Sequence, residues 1–182
     1  MDAFARTGFY GATMKDIAGR AGISYTGLLH HFPRKEDLLL AVLELRSEQS
    51  ARLMEAADAR DPAGHPLKAL RGMLAVAADN ALSPGLLELH CVIAGEATSP
   101  EHPAHSYYTG RYRQLRQFFT TVFSALAEQG QLRSDIAPAT LATMTIALLN
   151  GLQTQSLHDR DTLDVEGSMR AFLVGLVPAL GE

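Results

Sequence analysis

The adjacent pair His30 and His31 is the first place where side chains able to do acid–base, metal or nucleic-acid chemistry cluster. It lies in GISYTGLLHHFPRKEDLL, residues 22–39, followed by an aromatic, a proline and two cations. Three chemistries compete for this stretch. Chelation from one helix needs ligands at i and i+4, whereas neighbouring residues project about 100° apart. No carboxylate or cysteine lies in the same helix, SYTGLLHHF. A nucleophilic site needs an activated hydroxyl and an oriented base. Ser24 stands where a helix cap belongs, and no G-x-S-x-G elbow occurs. No catalytic residue is therefore expected, and no metal. Contact with nucleic acid remains, with imidazoles donating to phosphate or base acceptors and Lys35 adding charge. The bland alternative is two solvated surface histidines.

A second set, His90, Cys91, Glu96, His102 and His105, poses the same question. Pro103 interrupts the last pair, and no second ligand pair lies nearby in sequence, so metal sensing is not expected. Cys91 sits in an apolar helix, where a thiol behaves as a small hydrophobe. As the single cysteine it has no internal disulfide partner, which fits a reducing cytoplasm.

The charge distribution sharpens the choice. The net charge of −4 argues weakly against nucleic acid. Residues 1–35, however, carry Arg6, Lys15, Arg20, Arg34 and Lys35 against Asp2 and Asp16, a net +3, leaving −7 for the rest. A basic end on an acidic body places an anionic partner at one end. At 182 residues, 47% of them apolar and 20% charged, the chain can build a core. No apolar run approaches the ~20 residues of a membrane span, and MDAFARTGFY does not read as a signal peptide. No membrane partner and a cytoplasmic location are expected.

These residues must be positioned by helices, since no sustained period-2 alternation appears. MDAFAR reads as the end of a helix stopped at Gly8. TMKDIAGRA opens with Thr13 three residues before Asp16, a capping-box pattern, and stops at Gly22. SYTGLLHHF opens on Ser24 and stops before Pro33. A long helix is expected from Arg34 to Ala59, then RDPAGHP as a joint. Further helices are expected near 66–81, 85–98, 104–129, 138–158 and 165–179. The expected fold is all-α, with an N-terminal helix-turn-helix domain of three helices over 1–45. A long helix joins it to a C-terminal ligand-binding and dimerisation domain over 46–182. Ile17, Ala21, Ile23, Leu28 and Phe32 would make the small core. Tyr25, Thr26, Leu29 and His30 would face outward, with His31 at the edge.

GFYGATMKDIAGRAGISYTGLLHHFPRKEDLLLAVL resembles the DNA-binding domain of TetR-type bacterial transcriptional regulators, over roughly residues 3–45. The glycine before an aromatic, the Thr13 start, DIA…AGIS, the HHF and the Lys-Glu-x-Leu carry the likeness. It implies a homodimer that binds a palindromic double-stranded operator, usually represses, and is released when a small-molecule effector fills the C-terminal domain. Carried over by position, Thr13 and Lys15 would touch phosphate. Ser24, Tyr25, Thr26 and Gly27 would open the recognition helix. His30 and Lys35 would match phosphate-contact positions, with His31 beside them. Three departures stand out. Leu29 replaces a common phosphate-bonding tyrosine, Tyr25 replaces a frequent lysine, and Arg34 replaces a capping serine. The first helix also begins at Met1, later than the family pattern, so it is expected to be truncated.

In the body, residues 104–129 carry Tyr108, Arg111, Tyr112, Leu115, Phe118, Phe119, Val122, Phe123 and Leu126 at helical spacing. The lower end reads as core. The upper end, Tyr108, Arg111 and Tyr112 with Phe119 below, reads as a cavity wall for a small molecule. LATMTIALLNGLQTQSL is apolar nearly all round, as is MRAFLVGLV. Together they suit a homodimer seam over 138–158 and 165–179. Asn150 and Gln153 would bond a ligand or each other across that seam. No cofactor is expected. The rival readings are a helical dimeric ligand-binding protein that has lost operator binding, and an enzyme for which no site assembles.

Overall fold

The computed structural model describes residues 2–82, 84–159 and 162–181. Met1, where the first helix was expected to start, lies outside the described residues. So do parts of the connections expected at residues 83–85 and 159–164. All regular structure among the described residues is helical: α1 (Asp2–Gly11), α2 (Met14–Ala21), α3 (Tyr25–His31), α4 (Lys35–Ala56), α5 (Pro66–Leu82), α6 (Pro84–Glu96), α7 (His105–Glu128), α8 (Pro138–His158) and α9 (Val165–Leu176), with a short 3₁₀ turn over Pro178–Leu180. None of these helices is long and apolar enough to cross a membrane.

The chain folds into two compact units that do not follow chain order. One holds Met1–Glu48 and Ser83–Gly110, the other Gln49–Leu82 and Arg111–Glu182. Helices α4 and α7 contribute residues to both.

In the first unit the short helices end where local chemistry ends them. Thr13 takes extended angles and accepts the Asp16 N–H, while its hydroxyl donates to the Asp16 carboxylate at 2.7 Å. One of the orphan N–H groups at the start of α2 is thereby satisfied, and the hydroxyl that accepts it is held in place by the carboxylate. Gly22 ends α2 in the left-handed conformation (φ 68°), and the Ile23 N–H reaches back to the Ala18 carbonyl. Ser24 then accepts the Gly27 N–H at 3.0 Å and starts α3. Arg34, standing where a capping serine was expected, forks onto the Asp37 carboxylate at 3.0 and 2.6 Å. That hydrogen bond holds the Asp37 carboxyl below its ordinary value.

Several expectations need correction here. The small core keeps Ile17 and Leu28, adds Ala18, and leaves Phe32 half-buried. Ala21 and Ile23 are exposed, Ile23 at 47%, because both fall at the turn around Gly22, where the chain bulges from the packed faces. Nor does Gly8 stop α1. It takes φ 68°, ψ −174°, kinks the helix, and the chain coils again to Gly11. α4 ends three residues earlier than expected, at Ala56. The terminal helix breaks at Val177 because Pro178 has no N–H to continue it.

The second unit is built on α7. Phe119, Val122, Phe123 and Leu126 are almost wholly buried, against Leu70 and Leu74 of α5, Leu141 and Ile146 of α8, and Leu173 of α9. Each large apolar side chain buried this way stabilises by roughly 1.5–3 kcal/mol. The Phe119 and Phe123 rings stack at 6.1 Å.

Among the glycines of the first unit, Gly8 leaves the least room for a side chain. A Cβ there would stand 1.9 Å from a carboxylate oxygen of Glu96, at a backbone angle that L-residues resist. Gly8→Ala should lower stability by about 2 kcal/mol or more, combining backbone strain with displacement of Glu96. A urea melt checks this, and an unchanged midpoint contradicts it.

Candidate nucleic-acid interface

Helix α3 presents Tyr25 (49% exposed), Thr26, His30 and His31 to solvent, while Leu28 is buried beneath and Leu29 is half-buried. The two imidazoles meet edge to face, with ring centroids 5.5 Å apart. Gly27 is half-buried, close under the Ser24 hydroxyl that caps the helix. This surface combines an aromatic, a hydroxyl and two imidazoles on one short rigid helix. Such a set can hydrogen-bond to base edges and phosphate oxygens.

In the same unit, α1 and α2 frame a groove of about 440 Å³ whose lining includes Arg6, Lys15, Asp16 and Arg20. Arg6 and Arg20 both reach Asp2, at 3.1 and 2.5 Å. Desolvation raises the Asp2 carboxyl, but the charges and hydrogen bonds of Arg6 and Arg20 outweigh it and hold Asp2 below its ordinary value. Asp16 lines the groove as well, so two carboxylates, Asp2 and Asp16, stand against three cations, a small positive excess. In the sequence Arg6 and Arg20 are visible only as charge. Their spacing across two helices became a feature only once α1 packed on α2.

Lys35 is placed differently from its neighbours. Its ammonium donates to the carbonyls of Phe9 and Ala12 at 2.7 and 2.8 Å and lies 4.4 Å above the Phe9 ring. Two of its three donors are thus used inside the fold, on the C-terminal end of α1. Thr13 likewise spends its hydroxyl on capping α2.

The residues expected to line a cavity divide between the two units. Tyr108 is buried in the first, its hydroxyl 3.3 Å from the His90 carbonyl and 3.2 Å from His90 Nδ1. Arg111, Tyr112, Phe119, Asn150 and Gln153 belong to the second. There the Asn150 amide donates to the Tyr112 hydroxyl at 3.1 Å, and both are half-buried, as is Arg111. Phe119 is core, and Gln153 is buried at 4% exposure. Of the second histidine set, His105 Nδ1 lies 2.9 Å from the Ala97 carbonyl and His102 Nε2 lies 3.4 Å from Glu96. Among the described residues, no three His, Cys, Asp or Glu side chains converge to hold a metal ion.

Residues 1–42 match the family of bacterial regulatory proteins of the tetR type, and residues 66–178, more than half of the chain, match the C-terminal domain of BetI-type transcriptional repressors. The chain belongs to the TetR family. The family is one of bacterial transcriptional regulators. Over 43 residues, 24% of the chain, it is 49% identical to the regulator RutR of Escherichia coli K12. Over 133 residues, 73% of the chain, it is 28% identical to the repressor KstR2 of Mycobacterium tuberculosis H37Rv. These matches span 20% and 65% of the two relatives' own lengths. A chain described as a transcriptional regulator from Saccharomonospora viridis, solved in complex with choline, shares the fold. Its TM-score is 0.75 at 22% identity, over 97% of this chain and 92% of that one. The all-α architecture of this TetR-family protein is thus shared nearly end to end.

The inward turn of Lys35 has a measurable consequence. Lys35→Ala removes two charge-assisted hydrogen bonds to buried-side carbonyls and should cost about 2 kcal/mol of stability. Thermal unfolding of the variant without DNA checks this. An unchanged melting temperature would mean that the ammonium is not committed to α1.

Proposed function

We propose that this TetR-family chain is a repressor that binds a palindromic operator as a homodimer in the cytoplasm and is released by a small-molecule effector. The observation that carries the reading is the exposed α3 face, Tyr25, Thr26, His30 and His31, in the same unit as the groove that holds Arg6, Lys15 and Arg20. In this reading residues 1–45 bind DNA, and residues 46–182 bind the effector and dimerise. Tyr25 and Thr26 read bases at the start of α3, supported by the Ser24 cap and by Gly27. His30, His31 and Lys15 contact phosphate. Thr13 and Lys35 act mainly by holding α2 and α1 in place, each with little hydrogen-bonding capacity left for DNA.

Half-buried apolar side chains on α8 and α9, Leu148, Leu149, Phe172 and Leu176, together with Met144 at 46% exposure, support a seam between two copies. The relative KstR2 is a repressor, and the choline complex shows that a protein of this fold takes a small ligand. For this chain, Arg111 beside Tyr112 and Asn150 favours a neutral or singly anionic effector with aromatic or lipid-like character. The effector must bind the DNA-free shape better, because equal affinity for both shifts nothing.

Selection of duplexes from a random DNA library tests the reading. Wild-type protein should enrich one palindromic site, bind it as a dimer in sedimentation, and lose affinity steeply with salt. Lys15→Ala should flatten the logarithmic salt slope by about one unit. No enriched sequence would favour the ligand-binding protein without operator binding, and monomers at micromolar concentration would overturn the seam.

Arg111→Ala should abolish the melting-temperature rise given by whichever aromatic or fatty acid in a ligand panel stabilises the wild type, while operator affinity stays within about twofold. An equal loss of operator affinity would show that Arg111 holds the fold instead.

A further inference from the structure

The peptide unit around Phe9 is gripped from both sides. Its N–H donates to Glu96 Oε2 at 2.8 Å, from the last residue of α6. Its carbonyl accepts from Lys35 Nζ at 2.7 Å, from the first residue of α4, and the same ammonium takes the Ala12 carbonyl at 2.8 Å. Phe9 is buried at 5% exposure, so an unpaired N–H there would be costly. The grip falls immediately after Gly8, whose left-handed angles free the Phe9 N–H from the helix ladder. Glu96 fills the space where a side chain at residue 8 would be.

The same Glu96 oxygen is faced by a second group. His102 has its side chain fully buried, and its Nδ1 accepts the Ala104 N–H at 3.1 Å. With Nδ1 an acceptor, the neutral ring carries its proton on Nε2, which points at Glu96 Oε2 from 3.4 Å. That distance is long for a hydrogen bond, and Nε2 has no other hydrogen-bond partner among the described residues. The Phe9 and Tyr10 rings stand edge-on to the imidazole at 5.3 and 5.6 Å and fix its plane.

We propose that Glu96 is a positioning residue for operator binding, setting the place of α2 and α3 through the Phe9 N–H. This rests on the operator-binding reading above. From Phe9 the chain runs only to Ala12, held by the same Lys35, and then to Thr13, the cap of α2. α2 bears Lys15 and packs on α3. A shift of the Phe9 peptide therefore moves the groove and the recognition face together. What matters in Glu96 is an acceptor at the Oε2 position, not its charge. A glutamine carbonyl placed there would still take the Phe9 N–H and still face His102 Nε2–H.

Two substitutions separate acceptor from charge. Glu96→Gln keeps the acceptor and removes the charge. Glu96→Asp keeps the charge and withdraws the acceptor by one methylene. With the duplex selected by wild-type protein, fluorescence anisotropy should give E96Q a Kd within threefold of wild type and E96D a Kd at least tenfold weaker. Amide exchange at Phe9 should quicken in E96D alone. The reverse order, equal weakening of both, or no weakening of either overturns the proposal. If E96D fails to fold, E96Q decides alone, and tenfold weaker binding overturns it. Wild-type protein that selects no duplex fails the operator reading itself, a result distinct from all of these.

Discussion

A buried backbone N–H must find an acceptor, and in this chain that requirement is sharpest at Phe9. The left-handed turn at Gly8 takes the Phe9 amide out of the α1 ladder, and Glu96, 87 residues away in sequence, supplies the missing acceptor. The first unit is organised by that need. α6 must bring its C-terminal end to α1, and α4 must begin where Lys35 can reach the α1 carbonyls. α2 then starts from an anchored residue. A short three-helix domain has little core of its own, and here polar tethers from α4 and α6 supplement Phe4, Ile17, Ala18 and Leu28. The outer face of α3 carries none of this burden and is left to polar side chains.

This division of labour explains why one histidine pair and one histidine–carboxylate pair, alike as sequence, have different roles. His30 and His31 sit on an exposed helix whose buried face is already filled by Leu28. His102 and Glu96 lie inside the packing between α1 and the α6–α7 connection, where their atoms are fixed by Ala104 and Phe9. Exposure, more than residue type, separates a surface suited to DNA from an internal brace.

Much of the fold was legible because it is local. Helix periodicity, the Thr13 and Ser24 caps, Gly22 as a stop and Pro33 as punctuation each act within a few residues. The α7 stripe showed its buried face for the same reason. What escaped was non-local. Gly8 read as a helix stop, since nothing nearby announces that Glu96 will take the amide it frees. Lys35 was visible as a cation, but not its direction, which depends on the Phe9 and Ala12 carbonyls 26 and 23 residues earlier. Tyr108 and Tyr112 share one helix and one stripe, yet bond to His90 and Asn150 in different units. Ile23 read as core because apolar character alone does not tell a packed residue from one at a turn.

Hydrogen exchange of the free and DNA-bound protein tests most directly whether the first unit is a braced platform whose outer face meets DNA. The account predicts that the Phe9 amide is already strongly protected in the free protein. It also predicts that DNA adds protection chiefly over Tyr25–His31 and the start of α2. A Phe9 amide that exchanges as fast as a frayed helix end, or DNA-dependent protection confined to α8 and α9, would contradict it.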